Sequence, residues 1–425
     1  MLNILINAYA VSPNWGSEPG MGWNWVVNLA NYCNLHIITE GEWKDEISSV
    51  LKDAKDGKHP MISAEQANRM HFYYNEMTPE IRTMCWNQGD WRFYYYYRKW
   101  QEKTLKMARE IIGKVQIDIV HQLNMIGYRE PGMLWKIDNR PFVWGPFGGL
   151  EMMPLAYLEG ECFKIKFFSR LKNFLNDYQR KHDRRFHQAI KRADGLCNAT
   201  KGVYEYVKSH YRIDTVLLNE TGCYVKNEPV VQVNKNTFDL VWVGKFDFRK
   251  QLSIALNTVA HLKDLSQIRL HILGDGYASD VKRYKQLSHD LGIDSQIVWY
   301  GKIPNKEVQE LMSNSDLLLF TSIMEGTPHV VMEALGNNLP VICLDLCGQG
   351  DCINESCGIK IPVTNPRQSA IDFANAVRKL VMYPEKLYSL KCNCHQRQLE
   401  LSWDQKVKVM LEVYENAIHH FEQHS

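Results

Sequence analysis

The sequence predicts an α/β protein made of two domains, each built on a parallel sheet. Short apolar runs of the length of buried strands recur along the 425 residues and alternate with segments of helical pattern. Several of these runs end in glycine-rich turns, as at Gly145 to Gly149 and at Gly274 to Gly276. The length suits two domains of ordinary size. This alternation is typical of doubly wound sheets with helices on both faces.

The composition is that of an ordinary globular protein, with 45% hydrophobic and 23% charged residues. A net charge of +2 gives no overall attraction to nucleic acid, so we expect no nucleic-acid partner. No apolar run approaches the ~20 residues that span a bilayer, and Met1 to Trp15 lack the pattern of a signal peptide. We therefore expect a cytoplasmic protein with reduced thiols.

In the first half of the chain, strands alternate with helices, and a loop between Ser12 and Gly22 has three glycines and a proline that allow close approach to a ligand. An ordinary strand-to-helix turn is the alternative. The predicted strands are Leu2 to Ala8, Leu35 to Thr39, Met70 to Tyr74, Ile117 to His121, Pro141 to Trp144, Asp194 to Thr200 and Thr215 to Leu218; the predicted helices include Met21 to Tyr32 and Gly89 to Ile112.

Two helical segments of this half have more aromatic or basic residues than a helix needs. The aromatic cluster from Phe93 to Trp100 exceeds what one face buries, so it either meets a ligand or partner or packs in the core. Residues 163–192 interleave cations with apolar side chains, which suits the headgroups of an anionic membrane. A solvated helix packed on its own domain is the alternative reading of 163–192.

The second half continues the alternation, and residues 220–237, with Pro229 and several asparagines, read as a linker. A strand from Asp239 to Val243 precedes Gly244, Lys245 and Lys250, and further strands are predicted at Arg269 to Leu273, Gln296 to Tyr300 and Leu317 to Phe320. Cys343, Cys347, Cys352 and Cys357 invite a zinc site, but their gaps differ from paired C-x-x-C motifs, and Cys343 and Cys357 are predicted on strands. We therefore expect no metal there.

The stretch from Leu317 to Asp345 has the features of a ligand site. A buried strand leads through a loop with Glu325 into a helix that begins near Pro328 and includes Glu333. The first N–H groups of a helix suit a phosphate, and carboxylates suit sugar hydroxyls. The pattern fits a nucleotide sugar. A surface loop whose glutamates cap and solubilise the helix is the alternative.

Three segments, LVWVGKFDFRKQLSIAL, LHILGDG and EGTPHVVMEALGNNLPVI, together resemble the signature of retaining glycosyltransferases of the GT-B fold, family 4. The resemblance implies two Rossmann-like parallel-sheet domains that face a cleft, and a C-terminal helix that crosses back to the first domain. We accordingly place an acceptor-side domain at 1–219, a linker at 220–237, a nucleotide-sugar domain at 238–402 and the crossing helix at 403–425.

Two lysines, a helix start and the lack of an acidic D-x-D motif lead us to expect no metal, and the resemblance implies roles for single residues. Glu325 contacts the donor sugar, Glu333 the ribose, and Lys245 and Lys250 the diphosphate. Lys245 stands where the family usually has arginine, and an ammonium cannot grip two phosphate oxygens at once. The remaining predicted ligand contacts are Gly16 and Glu18 in the first loop, Gly244 and Gly274 at strand ends, and Thr327, His329, Val330 and Val331 at the helix start.

The sequence departs from the family pattern after His121, which resembles a catalytic-site histidine. The family commonly carries a second histidine two residues on, where this chain has Leu123, so Asn124 or a neighbour is a candidate replacement. The segments WGPFGG and GSEPGMGW resemble a branch associated with bacterial surface polysaccharide assembly.

We therefore expect a metal-independent retaining hexosyltransferase that uses a nucleotide sugar and a glycan or lipid-linked acceptor, at the inner face of the plasma membrane. The alternatives are a nucleotide-sugar-binding regulatory or inactive subunit, or another GT-B enzyme such as an epimerase.

Overall fold

The computed structural model describes residues 1–86, 92–227, 235–326 and 328–424, and the chain divides into two compact units. Unit 1 comprises Met1–Glu151, Asn176–Thr221 and Trp403–Ser425, and unit 2 comprises Met152–Leu175 and Gly222–Ser402. Residues 152–175, placed in the first domain from sequence, pack instead with unit 2. They do so because Met153, Tyr157 and Leu158 are buried in its apolar core.

The chain up to residue 217 forms a seven-stranded sheet with helices around it. Its strands are β1 (Asn3–Ala8), β2 (Asn34–Thr39), β3 (Met70–Tyr74), β4 (Ile119–Asn124), β5 (Phe142–Phe147), β6 (Gly195–Asn198) and β7 (Val216–Leu217). Its helices are α1 (Ser17–Leu29), α2 (Lys44–Lys55), α3 (Ala64–Arg69), α4 (Pro79–Trp86), α5 (Arg92–Ile112), α7 (Arg184–Arg192) and α8 (Lys201–Tyr211). Helix α6 (Phe163–His182) belongs to unit 2 up to Leu175 and to unit 1 from Asn176.

Unit 2 is built on a six-stranded sheet. Its strands are β8 (Phe238–Val243), β9 (Ile268–Leu273), β10 (Ile297–Gly301), β11 (Leu317–Phe320), β12 (Val341–Leu344) and β13 (Gly358–Ile361). Its helices are α9 (Leu252–Ala260), α10 (Ala278–Asp290), α11 (Asn305–Asn314), α12 (His329–Gly336), α13 (Cys347–Cys352), α14 (Pro366–Met382) and α15 (Pro384–Glu400); the last helix of the chain, α16 (Trp403–His424), returns to unit 1.

Both sheets are parallel, with the orders β3-β2-β1-β4-β5-β6-β7 and β10-β9-β8-β11-β12-β13. The central strands are almost entirely buried, as expected for parallel strands covered by helices on both faces. In each sheet the strand order reverses beside the first strand of the unit, and ligands of open α/β sheets bind at such points, beyond the carboxyl ends of the strands. The predicted fold class, two Rossmann-like parallel-sheet domains, is confirmed.

Helix α16 packs in unit 1, as the crossing helix was expected to do. Trp403 meets Trp25 of α1 edge to face, with ring centroids 5.4 Å apart, and Val407 and Met410 are buried in the same apolar core. Lys406 is also buried and donates to the carbonyl of Asn219. These contacts fix the end of the chain on the unit that contains its beginning.

Several predicted boundaries differ from the structure. The predicted basic helix 163–192 is two helices, because the Asp183 side chain accepts from the N–H groups of Arg185 and Phe186 and so starts α7. The start predicted at Gly89 lies outside the described residues. Of the linker 220–237, residues 228–234 are likewise not described. The backbone N–H of Cys223 donates a hydrogen bond to the Leu401 carbonyl within unit 2.

Candidate functional site

In unit 2, the carboxyl ends of β8 and β11 bring Lys250 and Glu325 together. The Lys250 ammonium lies 2.6 Å from Glu325 Oε1, and each side chain is 17% exposed. Ser322 Oγ donates to the same carboxylate oxygen at 2.8 Å, so Glu325 is held by two donors. Because neither side chain is fully buried, a ligand phosphate could reach the lysine and a ligand hydroxyl could reach the carboxylate.

The backbone around this pair is fixed by hydrogen bonds between neighbouring strands. Thr321 Oγ1 donates to the Lys250 carbonyl at 2.7 Å and accepts from Trp242 Nε1 at 3.0 Å. The Asp247 side chain accepts from the N–H groups of Arg249 and Lys250, which starts a tight turn after β8. The turn aims Lys250 back along the sheet, where its ammonium lies 5.3 Å from the centroid of the Phe320 ring.

Helix α12 begins beside Glu325. Pro328 stands just before the helix rather than at its first position, and the N–H of Val331 is bonded to the Pro328 carbonyl at 3.0 Å. This bond takes Val331 out of the predicted set of free phosphate donors, whereas the N–H groups of His329 and Val330 belong to the first turn and have no intrahelical acceptor. Thr327, the other predicted contact in this loop, lies outside the described residues.

The imidazole of His329 has a pKa below its usual range. Burial is the main cause, the Lys250 ammonium acts in the same direction, and the Glu325 carboxylate acts in the opposite one. A neutral imidazole at the start of a helix adds a hydrogen-bonding group without adding charge. The structure therefore brings Lys250, Glu325 and His329 into one electrostatic group, and their contact with a ligand stays a prediction.

Glycines at three neighbouring strand ends form the wall of a cavity of about 860 Å³. Gly274 has φ +142°, and a Cβ on it would lie 1.8 Å from the Gly244 carbonyl oxygen, so only glycine fits there. Gly301, at the end of β10, accepts from the Gly274 N–H at 2.8 Å. The cavity has a mixed lining of three cations, three aspartates, three aromatic rings and several aliphatic side chains that include Ile165; the charged and aromatic residues are Lys245, Arg283, Lys302, Asp247, Asp275, Asp280, Phe246, Phe248 and Tyr277.

The cavity and the Lys250–Glu325 pair are adjacent through Gly244. A Cβ on Gly244 would lie 3.4 Å from Lys250 Cδ, so the lysine stem passes directly beside the cavity wall. Lys245 lines the cavity itself and is exposed. The two predicted diphosphate lysines therefore lie on either side of one glycine, at the strand ends where α/β sheets bind ligands.

The Glu333 carboxylate is engaged by amides of α11. Asn305 and Gln309 hydrogen-bond to it, yet burial, the larger effect, leaves its pKa raised. Ile303 and Val308, which line the cavity, are close to Asn305 and Gln309 in the chain. Glu333 thus lies near the cavity-lining segment of α11, and the structure gives it no contact with Glu325.

In unit 1, the first loop is tied to the chain after β4. Gly16 is exposed and immediately precedes α1, and Glu18 Oε1 accepts from the Ile126 N–H at 2.9 Å. Burial raises the pKa of Glu18. Glu18 thus links the first loop to the chain after β4. The predicted contact of Gly16 and Glu18 with a ligand stays a prediction.

His121 does not have the placement of a catalytic group. It is fully buried, and its ring nitrogens are 2.7 Å from the Tyr414 hydroxyl and 2.7 Å from the Gly145 carbonyl oxygen. Since a carbonyl only accepts, Nε2 carries the proton and Nδ1 accepts from the tyrosine. Burial lowers its pKa to about 4, so it is neutral at pH 7. The expectation of a catalytic role for His121 is therefore corrected to one of joining β4, β5 and α16.

The candidates for the missing second histidine are also structural. Leu123 is buried in the apolar core. The Asn124 side chain exchanges two hydrogen bonds with the backbone of Ala10, and a Cβ on Gly22 would lie 3.0 Å from its nitrogen. Neither residue offers a free group to a ligand.

Burial describes two further groups of residues that the sequence singled out, the cysteines from Cys343 to Cys357 and the aromatic cluster of α5. Cys343 lies on β12 and Cys357 just before β13, and burial raises the pKa of both thiols. Among the described residues, no group of three or more His, Cys, Asp or Glu side chains is arranged to hold a metal ion. In α5, Tyr97 and Trp100 are core residues that pack on Tyr9, so core packing accounts for part of the aromatic cluster.

Some site residues were missed from sequence. Ser322, Asn305 and Gln309 fix the two glutamates, and Arg283 reaches the cavity from α10. The position of Ser322 directly after a buried strand was a usable signal. The amides and Arg283 lie on helices with no motif, so only the tertiary structure identifies them.

The fold and the site define a class of protein, and solved structures agree. The chain resembles the apo form of the lipopolysaccharide outer core galactosyltransferase WaaB over 98% of its length and 99% of that chain, with a TM-score of 0.61 and 16% identity. It resembles a sucrose-phosphate synthase from Thermosynechococcus elongatus over 99% and 100%, with a TM-score of 0.63 and 15% identity. The chain has the GT-B fold.

Sequence comparison finds a family match within the second half of the chain. Residues 226–395 match the family described as "Glycosyl transferases group 1". The chain is 33% identical over 116 residues to the lipopolysaccharide 1,6-galactosyltransferase of Salmonella typhimurium, which covers 27% of this chain and 32% of the relative. It is 24% identical over 253 residues to the D-inositol 3-phosphate glycosyltransferase of Gordonia bronchialis, 55% of each. The chain thus spans about a third to a half of the length of these curated relatives.

Proposed function

We propose that the protein is a retaining glycosyltransferase that moves a hexose-type sugar from a nucleotide sugar to a glycan or lipid-linked acceptor, in the synthesis of a surface polysaccharide. The observation that carries the proposal is the Lys250–Glu325 pair at 2.6 Å, beside the start of α12 and next to the glycine-walled cavity. The match to the group 1 family over residues 226–395 includes Lys250, Glu325 and the start of α12, and it supports the same activity.

The chemistry of transfer explains the need for this arrangement. Breaking the anomeric C–O bond develops positive charge on the sugar and negative charge on the leaving diphosphate. Lys245, Lys250 and the first N–H groups of α12 would stabilise the diphosphate, each charge-assisted hydrogen bond contributing about 1.5 to 3 kcal/mol. Glu325 would hold sugar hydroxyls, and Ser322 would keep its carboxylate oriented. Because these groups already supply positive charge, we propose a reaction without a divalent metal.

The names of the relatives support the choice of substrates. Two relatives are lipopolysaccharide 1,6-galactosyltransferases. A solved neighbour, the Anabaena protein HepE, is 12% identical to this chain, and its crystal structure is of the complex with UDP-glucose. By analogy we propose a UDP-hexose donor and a lipid-linked acceptor at the inner face of the plasma membrane. No helix in the described part of the chain is long and apolar enough to cross a bilayer.

The test is a screen with UDP-, GDP- and ADP-sugars that measures thermal stabilisation and released nucleoside diphosphate, with free oligosaccharides and lipid-linked sugars as acceptors. One donor should stabilise the protein and release its diphosphate only when an acceptor is present. Proton NMR of the product would show the donor's anomeric configuration if the reaction retains it. Stabilisation without release would favour a regulatory subunit, and a changed sugar in the recovered donor would favour an epimerase.

A further inference from the structure

Helix α6 is polar on its buried side and apolar on its exposed side, the reverse of an ordinary surface helix. On the buried side, Ser169 is 8% and Asn176 4% exposed, and Asn173 exchanges hydrogen bonds with the backbone of Met153. The exposed large side chains are Phe163 (82%), Phe174 (67%), Tyr178 (57%), Phe168 (56%), Phe167 (50%), Leu175 (45%) and Leu171 (38%).

These seven side chains form one continuous surface. At 100° per residue they span roughly 140° of the helix circumference. Scattered exposed apolar residues are normal, but a contiguous patch of this kind marks an interaction surface. We name this surface, from Phe163 to Tyr178, the α6 face.

The charges around the α6 face are all of one sign over its first thirteen residues. Between Phe163 and Leu175 the charged residues are Lys164, Lys166, Arg170 and Lys172, with no aspartate or glutamate. Lys164 and Arg170 are exposed and form no ion pair with any residue that the structure describes. Aromatic side chains flanked by unpaired cations are the composition of helices that lie in the interface of an anionic membrane.

We propose that the α6 face docks on the surface of an anionic lipid bilayer. A second copy of the chain fits less well, because two such faces would bring like charges together. Each basic residue near an anionic surface contributes about 1 kcal/mol, which is about a fivefold gain in binding, and the apolar face adds to it. Docking of this kind needs no spanning helix.

The docked helix would also be part of the donor-site wall. Ile165, on the buried side of α6, lines the cavity together with Gly244 and Lys245. If the proposed function holds, the bilayer would therefore support the helix that closes one side of the nucleotide-sugar cavity. A lipid-linked acceptor would then be met at the surface to which this helix is bound. The docking itself does not depend on the proposed activity.

The test is flotation of the full chain without nucleotide sugar, with two kinds of vesicle. One kind contains phosphatidylcholine alone, and the other is a mixture of phosphatidylcholine with a large fraction of anionic phosphatidylglycerol. The chain should float with the anionic vesicles at low salt, and high salt should reduce the bound fraction. Phe167→Ser/Phe174→Ser should abolish flotation, and Lys164→Gln/Arg170→Gln should weaken it about 25-fold. The control Tyr388→Ser/Met382→Ser changes exposed apolar residues of α14 and α15 and should float like the wild type.

Docking on the bilayer would be overturned if the wild type did not float at low salt, or if the serine variant floated as well as the control. It would also be overturned by a third result, in which the chain forms a dimer without vesicles and Phe167→Ser/Phe174→Ser dissociates that dimer. The third result would assign the α6 face to a second copy of the chain. Thermal unfolding would confirm that every variant is folded. Release of nucleoside diphosphate to a soluble acceptor, measured without vesicles, tests the proposed function separately, so that either idea can fail alone.

Discussion

The ammonium of Lys250 and the carboxylate of Glu325 are counter-ions in the free protein. A ligand phosphate that binds the lysine must therefore share it with this carboxylate. An incoming diphosphate would become a second anionic partner of the lysine, while Ser322 keeps Glu325 in place through its own hydrogen bond. The carboxylate would then be free to accept from sugar hydroxyls. The pair would thus suit the proposed ligand, which carries a phosphate at one end and hydroxyls at the other.

Replacing Lys250 by alanine should lower kcat about 100-fold or more, because the charge on the leaving diphosphate would lose a main stabilising cation. Released nucleoside diphosphate under saturating donor would measure the effect. Lys379→Ala, at an exposed lysine on α14, is the matched control and should keep full activity. Activity of Lys250→Ala within about threefold of wild type, in a folded protein, would contradict the diphosphate role.

Replacing Glu333 by glutamine should weaken nucleotide binding about tenfold or more, because a charge-assisted hydrogen bond to the ribose would be lost. Burial raises the pKa of Glu333, so lowering the pH should protonate it, and weaken binding, earlier than for an ordinary carboxyl. Calorimetric titration with the nucleoside diphosphate at several pH values would measure both effects. The variant should lack this pH dependence. Equal affinity of variant and wild type would remove the ribose role.

Single residues could be predicted from sequence where a strand end fixed their position. Gly244 directly follows β8, Lys250 and Glu325 lie in the loops after β8 and β11 where the family resemblance singled them out, and the structure brings the three together. His121 also stands on a predicted strand, but its contact with Tyr414 joins residues 293 positions apart. No local pattern reports such a contact, so the sequence could not distinguish a buried structural histidine from a catalytic one.

At the scale of elements, the strand-end glycines make a test of the cavity wall. Gly274→Ala should strongly destabilise unit 2, because φ +142° disfavours a side chain and the new Cβ would lie 1.8 Å from the Gly244 carbonyl oxygen. Gly336→Ala is the matched control in the same unit, since its Cβ would meet nothing within 4 Å and α12 would gain about 0.5–1 kcal/mol. Thermal unfolding should show a lower Tm for the first variant and an equal or higher Tm for the second. An unchanged Tm for Gly274→Ala would contradict this geometry.

Helix α6 shows why helical pattern alone was insufficient. The sequence indicated a helix with mixed cations and apolar residues, and left a membrane surface and a solvated helix open. Which side of the helix is buried depends on Ser169, Asn173 and Asn176, polar residues that a pattern-based reading assigns to solvent. The tertiary structure buries them and exposes the phenylalanines. The break at Asp183 depended on a capping interaction that the charge run obscured.

At the scale of the whole molecule, the alternation of strands and helices was enough to predict two parallel-sheet units, and the family resemblance added the return of α16. It was not enough to predict that residues 152–175 leave unit 1. That segment has no strand of its own, and its place is decided by long-range burial of Met153, Tyr157 and Leu158 in the core of unit 2. Domain boundaries predicted from sequence are therefore least accurate where the connection between two strands is long, as it is between β5 and β6.

The proposed absence of a metal requirement is a property of the complete enzyme. Transfer should continue at an unchanged rate after exhaustive treatment with EDTA, because Lys245, Lys250 and the start of α12 would supply the positive charge that a divalent ion otherwise provides. Released nucleoside diphosphate, with and without added Mg²⁺ or Mn²⁺, would measure this. Loss of activity that one of these ions restores would show that the cations of the chain are insufficient.

Stability against acid should depend on His121. Its pKa is about 4 in the folded protein, whereas the pKa of an unfolded histidine is near the ordinary value of 6.5. Between these values the unfolded chain binds a proton that the folded chain does not, so stability is full above pH 6.5 and falls as the pH is lowered towards 4. For a shift of this size, the loss between pH 7 and pH 5 is about 2 kcal/mol.

His121→Asn cannot take up the proton, so its free energy of unfolding should fall less steeply over this range than that of the wild type. Tyr414→Phe removes the hydroxyl that donates to Nδ1 but keeps the buried imidazole, and it should retain most of the slope. Denaturant unfolding of the full chain at several pH values, followed by tryptophan fluorescence, would give the three slopes. Parallel slopes for His121→Asn and the wild type would show that the imidazole does not remain neutral in the fold, and so would contradict the hydrogen-bonded placement assigned to it.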